Sequence, residues 1–345
     1  MRENESILLG ALKDMRCFVA FAKFSATFQA AIVAGVLAGL LPPATAAEYP
    51  TKPIRLVVPF APGGGSDVVG RIIGLKLAES LGQTVVVDNR PGAASMIGTD
   101  LVAKSLPDGY SLLLADLALT INRAYYAKQS PPDPLKSFVP VALIAETPYI
   151  LMVHPSVPAT TIKEFIALAK AQPGKINVGS SGNGGGLHLT LELFKLKAGL
   201  ILNHIPYKGG GPALADTLAG QIQATFIGMG GSLQYVQAGR LRPLVVTSSK
   251  RNATLPNLPT LVELGYDVVV TNWYGIVAPA GTPVPIVKRL YDEVGRALEQ
   301  KDTRDRLLGT GLEPVAQSPD NFQRLIVSEL KRRSQTISEA RIQTE

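Results

Sequence analysis

Cysteine, histidine and long apolar runs are all scarce in this chain, and each scarcity excludes a class of chemistry. The single cysteine among 345 residues, Cys17, falls in an N-terminal segment that reads as cleaved, so the exported product is expected to form neither disulfides nor thiolate metal sites. Only three histidines occur, His154, His188 and His204, and their separations fit no metal-ligand pattern, so no metal is expected. After the first 47 residues no stretch approaches the roughly 20 apolar residues that span a bilayer. Charge of one sign is also missing in any concentrated form: 34 Lys and Arg against 27 Asp and Glu give +7, spread along the chain, which argues against nucleic acid and leaves anionic small molecules as partners.

Motifs for nucleotides and for hydrolysis are absent as well. No G-x-x-x-x-G-K-[ST] occurs, and "SGNGGGLHL" puts Leu187 where G-x-G-x-x-G needs its last glycine, so no cofactor is expected. G-x-S-x-G fails at both candidate serines: the fifth position is Val68 for Ser66 and Asn183 for Ser181. No catalytic residue is assigned, and the reading is of a protein that is not an enzyme.

What is present begins with residues 1–47. Lys13, Arg16 and Lys23 precede "FSATFQAAIVAGVLAGLLPPATAA", an apolar stretch closing on small residues, the pattern of a signal peptide cleaved near Ala46 or Ala47. Translation from Met15 gives that segment a more ordinary length. An uncleaved anchor is the competing reading, and Pro42, Pro43 and the small-residue site favour cleavage. An exported chain without cysteine points to a bacterial periplasm.

Along the remainder, short β-branched runs ("IRLVVPF", "TVVVDN", "SLLLAD", "INVGSS", "LNHIPY", "IQATFIG", "LRPLVVTSS") alternate with helix-patterned stretches such as "DVVGRIIGLKLAESLG". This predicts an α/β chain with mainly parallel sheets. Two long apolar segments, "FVPVALIAETPYILMVHPS" and "VVVTNWYGIVAPAGTP", bracket a complete α/β block, and only helix patterns follow the second. They are expected to be crossings between two lobes, one of residues 48–148 plus 272–345 and one of residues 149–271, with a mainly parallel sheet in each and a cleft between them.

Two glycine turns share one design. Strand 54–60 runs through Phe60 into Gly63, Gly64, Gly65, Ser66 and Asp67; strand 176–179 runs into Ser180, Ser181, Gly182, Asn183, Gly184, Gly185 and Gly186. Each is expected to open a helix, at Val68 and Leu187, with Ser66 or Asp67 as N-cap of the first. Bare backbone and free N–H groups at a helix N-terminus suit an anion. A third run, "YKGGGPALADTLAG" at 207–220, either closes the same cleft or makes a structural turn. His188 in the first turn of the second helix is placed equally in the cleft or against its loop, while His204 is expected to be structural. Asp116, the last residue of "SLLLAD", is a candidate for a water-mediated contact. Tyr149 at the first crossing, Trp273 and Tyr274 at the second, and Tyr207 are aromatics that either wall the cleft or pack the core; Tyr149, Trp273 and Tyr207 are taken as wall candidates.

The segments "YPTKPIRLVVPFAPGGGSD", "LGQTVVVDNRPGAASMIGTD", "PGKINVGSSGNG", "HIPYKGGGPAL", "LPTLVELG" and "WYGIVAPAGTP" together resemble the solute-binding proteins of tripartite tricarboxylate transporters, the Bug family, over essentially the whole exported chain. The resemblance implies a two-lobed periplasmic-binding-protein fold of type II, a Venus flytrap. It also implies a receptor that delivers a carboxylated small molecule to integral-membrane permease subunits, and it is read here as a monomer. It further implies that the carboxylate is held at the two glycine loops, Phe60 to Asp67 and Ser180 to His188. Phe226, Ile227 and Gly228 stand where many relatives carry an acidic residue, which disfavours an ammonium on the solute. Gly185, Gly186 and Leu187 stand where relatives often carry small hydroxyl residues, and with Tyr149, Tyr207 and Trp273 they suggest a less polar solute such as an aromatic or branched carboxylate. The alternatives carried beside this reading are an exported enzyme acting on a carboxylate and a receptor for a sensor kinase.

Overall fold

The computed structural model describes residues 49–340, 342 and 344, so the leader expected over 1–47 lies outside the described residues. The chain divides at Thr51/Lys52, and the architecture is that of the unit from Lys52 onward. Its elements run β1 (Ile54–Val58), α1 (Gly65–Leu81), β2 (Val85–Asn89), α2 (Met96–Ala103), β3 (Ser111–Asp116), α3 (Ala118–Tyr125) and β4 (Phe138–Val153). The middle of the chain adds α4 (Ile162–Ala171), β5 (Asn177–Ser180), α5 (Gly186–Ala198), β6 (Asn203–Pro206), α6 (Gly210–Leu218), β7 (Ala224–Gly228), α7 (Leu233–Gln237) and β8 (Arg242–Val246). Then come β9 (Thr271–Pro279), α8 (Val284–Glu299), α9 (Lys301–Gly309), β10 (Glu313–Gln317) and α10 (Pro319–Glu339). Among the described residues no helix is long and apolar enough to cross a membrane.

Local chemistry accounts for the boundaries. β1 is buried everywhere except Arg55, as expected of a strand covered on both faces. Gly82 and Gly199 end α1 and α5 in the left-handed conformation that side chains resist. α4 opens with a reciprocal Thr161–Glu164 capping box, and α10 opens with Pro319 behind Ser318, whose hydroxyl accepts from Asn321 N.

β4 organises the tertiary structure. Its ladder with β9 runs from Phe138↔Pro279 to Pro148↔Thr271, and its ladder with β7 starts one residue later at Tyr149↔Gly228. One strand therefore serves two sheets: β2-β1-β3-β9-β4 with β10 beyond it, and β6-β5-β7-β4 with β8 beyond it. Pro148, which has no N–H to donate, sits where β4 leaves one sheet for the other, a place where a missing donor costs little. Core residues run through the seam, with Leu143, Tyr149 and Leu151 of β4 in one cluster with Phe194 of α5 and Phe322 of α10.

The two-lobed α/β class agrees with the sequence reading, but the sheets are mixed rather than mainly parallel. β1 pairs in parallel with β2 and β3, and β5 with β6 and β7, whereas β4 and β9 run antiparallel to every neighbour. Alternating strand and helix patterns report βαβ units; they carry no information about the two strands that return the chain between sheets. β10 is a second departure from a C-terminal region expected to be helical throughout. Its sequence EPVAQ contains a proline, and its pairing with β4 is broken by a register shift between Pro314 and Gln317, so no alternation marks it.

Candidate functional site

At the first turn the helix starts earlier than its side chains suggest. Gly64, not Ser66 or Asp67, is the N-cap, and no side chain caps it. Asp67 and Val68 both donate to Gly64 O, which leaves the N–H groups of Gly65 and Ser66 as the unmatched donors of the first turn. Asp67 orders the loop from inside the helix instead: Gly63 N donates to its Oδ2 at 3.1 Å and Asn89 Nδ2 to its Oδ1 at 3.1 Å, while Asn89 also reaches Phe60 O at 3.0 Å. Burial alone raises the Asp67 pKa, but hydrogen bonds from Arg71, Gly63 and Asn89 outweigh it and hold the carboxyl below its ordinary range.

The second turn repeats the arrangement with different chemistry. Gly185 is the N-cap of α5, again without a side-chain cap, and the helix opens at Gly186 rather than Leu187. Ser180 Oγ accepts from Gly182 N at 3.2 Å and bonds His204 Nε2 at 2.6 Å; His188 Nδ1 accepts from Gly184 N at 3.1 Å. His188 is thus turned to its own loop, stacked on His204 at 4.4 Å and met edge-on by Tyr125 at 5.6 Å. Burial pushes both imidazoles down to about 4, so they are neutral near pH 7.

A tyrosine stands over each helix opening. A Cβ on Gly65 would overlap the Tyr274 hydroxyl, and a Cβ on Gly186 would overlap the Tyr149 hydroxyl. Bare glycine at the first helical position is what admits each phenol. Asp116 sits directly across the β3–β9 ladder from Tyr274. It is 8 % exposed, its Oδ1 accepts from Ala118 N at 3.0 Å, and burial pushes its pKa up to about 7. Burial, then the nearby Asp116 charge, raises both tyrosine pKa values.

These groups share one cavity of about 30 Å³. Of the residues expected from sequence, Phe60, Gly64, Gly65, Ser66, Asp116, Tyr149, Ser181 and Ile227 line it. Gly186 lies directly beneath the Tyr149 ring, with Gly185 as its cap. Gly63, Asp67 and Ser180 support the loops from behind. Four candidates point elsewhere: His188 as described, Asn183 whose carbonyl accepts from Tyr126 Oη at 2.7 Å, Gly184 packed on Tyr125 and Tyr126, and Tyr207 whose hydroxyl donates to Asp216 at 2.7 Å. Trp273 is the remaining displacement: it packs edge-on against Phe322 at 5.3 Å in the first lobe's core. Successive strand residues face opposite ways, so Tyr274 and Asn272, two apart, take the cavity face that Trp273 cannot. That alternation was the available signal for Asn272; nothing local identifies which face of β9 is which.

The third glycine run closes the cleft. Gly210 lines the cavity, Ala61 N donates to Lys208 O at 3.0 Å across the lobes, and a Cβ on Gly211 would overlap Pro62 O. A larger cavity of about 670 Å³ lies on the outer face of the second lobe beside the start of α4. At that N-terminus Thr161 Oγ1 accepts from Glu164 N, and the Glu164 carboxylate, accepting from Thr160 N and Thr161 N, sets a negative charge at the helix opening.

Comparison with known proteins decides the family. The profile described as "Tripartite tricarboxylate transporter family receptor" matches residues 69–342. The chain belongs to this family. The receptor is 38 % identical over 297 residues to Protein BugT of Bordetella pertussis, covering 86 % of this chain and 91 % of that one. Among solved structures it is similar to an R. palustris protein with adipate (35 % identity, TM-score 0.81, 85 % of this chain and 98 % of the other). It is also similar to MatC from Rhodopseudomonas palustris with bound malate (31 %, 0.80, 84 % and 100 %). Within this receptor no Lys, Arg or His is among the described residues lining the cavity.

Proposed function

We propose that this receptor captures a carboxylated small molecule between its lobes in the periplasm and passes it to the membrane subunits of a tripartite carrier. One observation carries the reading: two helix N-termini without side-chain caps, each opened by glycine and overhung by a tyrosine hydroxyl, face a single cavity. Uncapped first-turn N–H groups and the positive ends of two helix dipoles hold an anion without any basic side chain. The tyrosine hydroxyls add neutral donors.

The adipate and malate bound by similar proteins support a carboxylate as the solute class. The lobes are taken as 48–148 plus 272–345 and 149–271, supported by the change of β4 partners between Pro148 and Tyr149. A cavity of about 30 Å³ is smaller than a four-carbon acid, so entry requires the lobes to part about β4 and β9 and then close on the solute.

Thermal melting against mono-, di- and tricarboxylates tests the assignment. A bound acid raises the midpoint with concentration, by the equivalent of about 2.7 kcal/mol at 100 times its dissociation constant. Folded, ligand-stripped protein that shows no shift with any carboxylate would refute it.

A further inference from the structure

We propose that the solute carries a protonated amine beside its carboxylate and that Asp116 is the residue that selects it; this rests on the carboxylate reading of the cavity. Asp116 is more than nine-tenths buried and on the cavity wall, with one oxygen tied to Ala118 N. Tyr274 of β9 lies across the ladder from it, the Asp116 charge acts on Tyr274 and on Tyr149 of β4, and Asn272 of β9 and Ser66 of α1 share the cavity wall with it. None of these is a cation. Charged side chains of the surrounding elements are committed elsewhere: Asp67 to Arg71, and Arg333 of α10, whose charge acts on Tyr149, to Glu329 at 2.7 Å.

Charge balance follows from these placements. Two helix N-termini supply roughly half a positive charge each, enough for one carboxylate. An ionised Asp116 then remains unmatched in a buried site, and a buried charge needs a partner. A second carboxylate on the solute would set anion against anion. An ammonium would complete the site, with the Asp116 carboxylate and the Tyr149 and Tyr274 hydroxyl oxygens as acceptors for its three N–H groups. This reverses the expectation, drawn from Ile227, that an amine has no acidic partner here: the acid comes from the opposite lobe.

The sign of the pH dependence separates the alternatives. Burial raises the Asp116 pKa to about 7, so the free protein is partly protonated there below neutrality. An ammonium binds the ionised form and releases that proton, so affinity rises by about tenfold between pH 6 and pH 8. A dicarboxylate requires the protonated form, and its affinity falls over the same interval.

The experiment is calorimetric titration of the purified protein with four acids of equal chain length, butanoate, 2-aminobutanoate, 4-aminobutanoate and succinate, at pH 6, 7 and 8. One of the two amino acids is expected to bind at least tenfold tighter than butanoate and succinate, more tightly as pH rises. Asp116→Asn, shown by its melting curve to be folded, is expected to lose at least tenfold in affinity for that amino acid and to flatten its pH profile. Preference for succinate or butanoate, affinity that falls with rising pH, or an unchanged Asp116→Asn overturns the amine assignment and leaves the carboxylate reading standing. Absence of binding by both amino acids overturns the amine assignment, while the carboxylate reading is decided separately by the melting screen against mono-, di- and tricarboxylates.

Discussion

Gly65 and Gly186 are the residues on which the site turns, because each holds a position that any side chain would take from a tyrosine hydroxyl. Gly186→Ala is expected to destabilise the fold by about 1–3 kcal/mol through overpacking and to weaken solute binding at least tenfold. In a Tyr149→Phe background the added methyl no longer meets an oxygen, so the same substitution should cost less by about 0.5 kcal/mol or more; urea melts of the four variants measure the coupling. Additive costs would mean that the glycine serves the backbone and not the phenol. Both glycines stand out in the sequence, since a glycine turn feeding a helix serves either an approaching anion or a tight turn, and the structure adds that each lies against a tyrosine hydroxyl. Their tyrosine partners are less legible: Tyr149 stands out at the first crossing, but nothing in the local pattern of β9 separates Tyr274 from Trp273, because it does not say which strand face is the cavity.

The helix openings show how a similar local design is completed by different neighbours. α1 has its loop held by an acid, Asp67, while α5 has its loop held by a stacked pair of neutral histidines, His188 and His204. Burial depresses both imidazole pKa values to about 4, below the unfolded value, so between about 4 and 6.5 the unfolded chain binds more protons than the folded one. Their contribution is therefore complete above about pH 6.5 and is lost as pH falls toward 4. Urea midpoints measured down that interval should drop, and replacing His188 by Gln should shrink the drop. At α4, which opens on the Thr161–Glu164 capping box, Thr161→Ala should cost about 1 kcal/mol of stability and leave solute affinity unchanged.

At the scale of the molecule, the proposed closure would bring backbone against backbone. The loop before α1 and the loop before α6 touch through Ala61 N and Lys208 O, and Gly211 has no room for a Cβ beside Pro62 O. Gly211→Ala is expected to wedge the lobes apart: solute affinity falls at least tenfold and the radius of gyration with saturating solute stays at its solute-free value. A variant that still contracts on binding would show that this contact does not gate closure.

The α/β rhythm, the two long apolar strands and the two glycine turns that open helices followed from the sequence alone, because helical spacing and glycine chemistry are local properties written within a few turns of chain. What required the tertiary structure was every fact of relative direction and distance. The antiparallel course of β4 and β9, the inward face of β9, the turning of His188 onto His204, and the meeting of Asp116 with Ile227 in one cavity join residues far apart in the chain. No periodicity encodes such meetings; they are set by which lobe each strand end reaches when β4 passes from one sheet into the other.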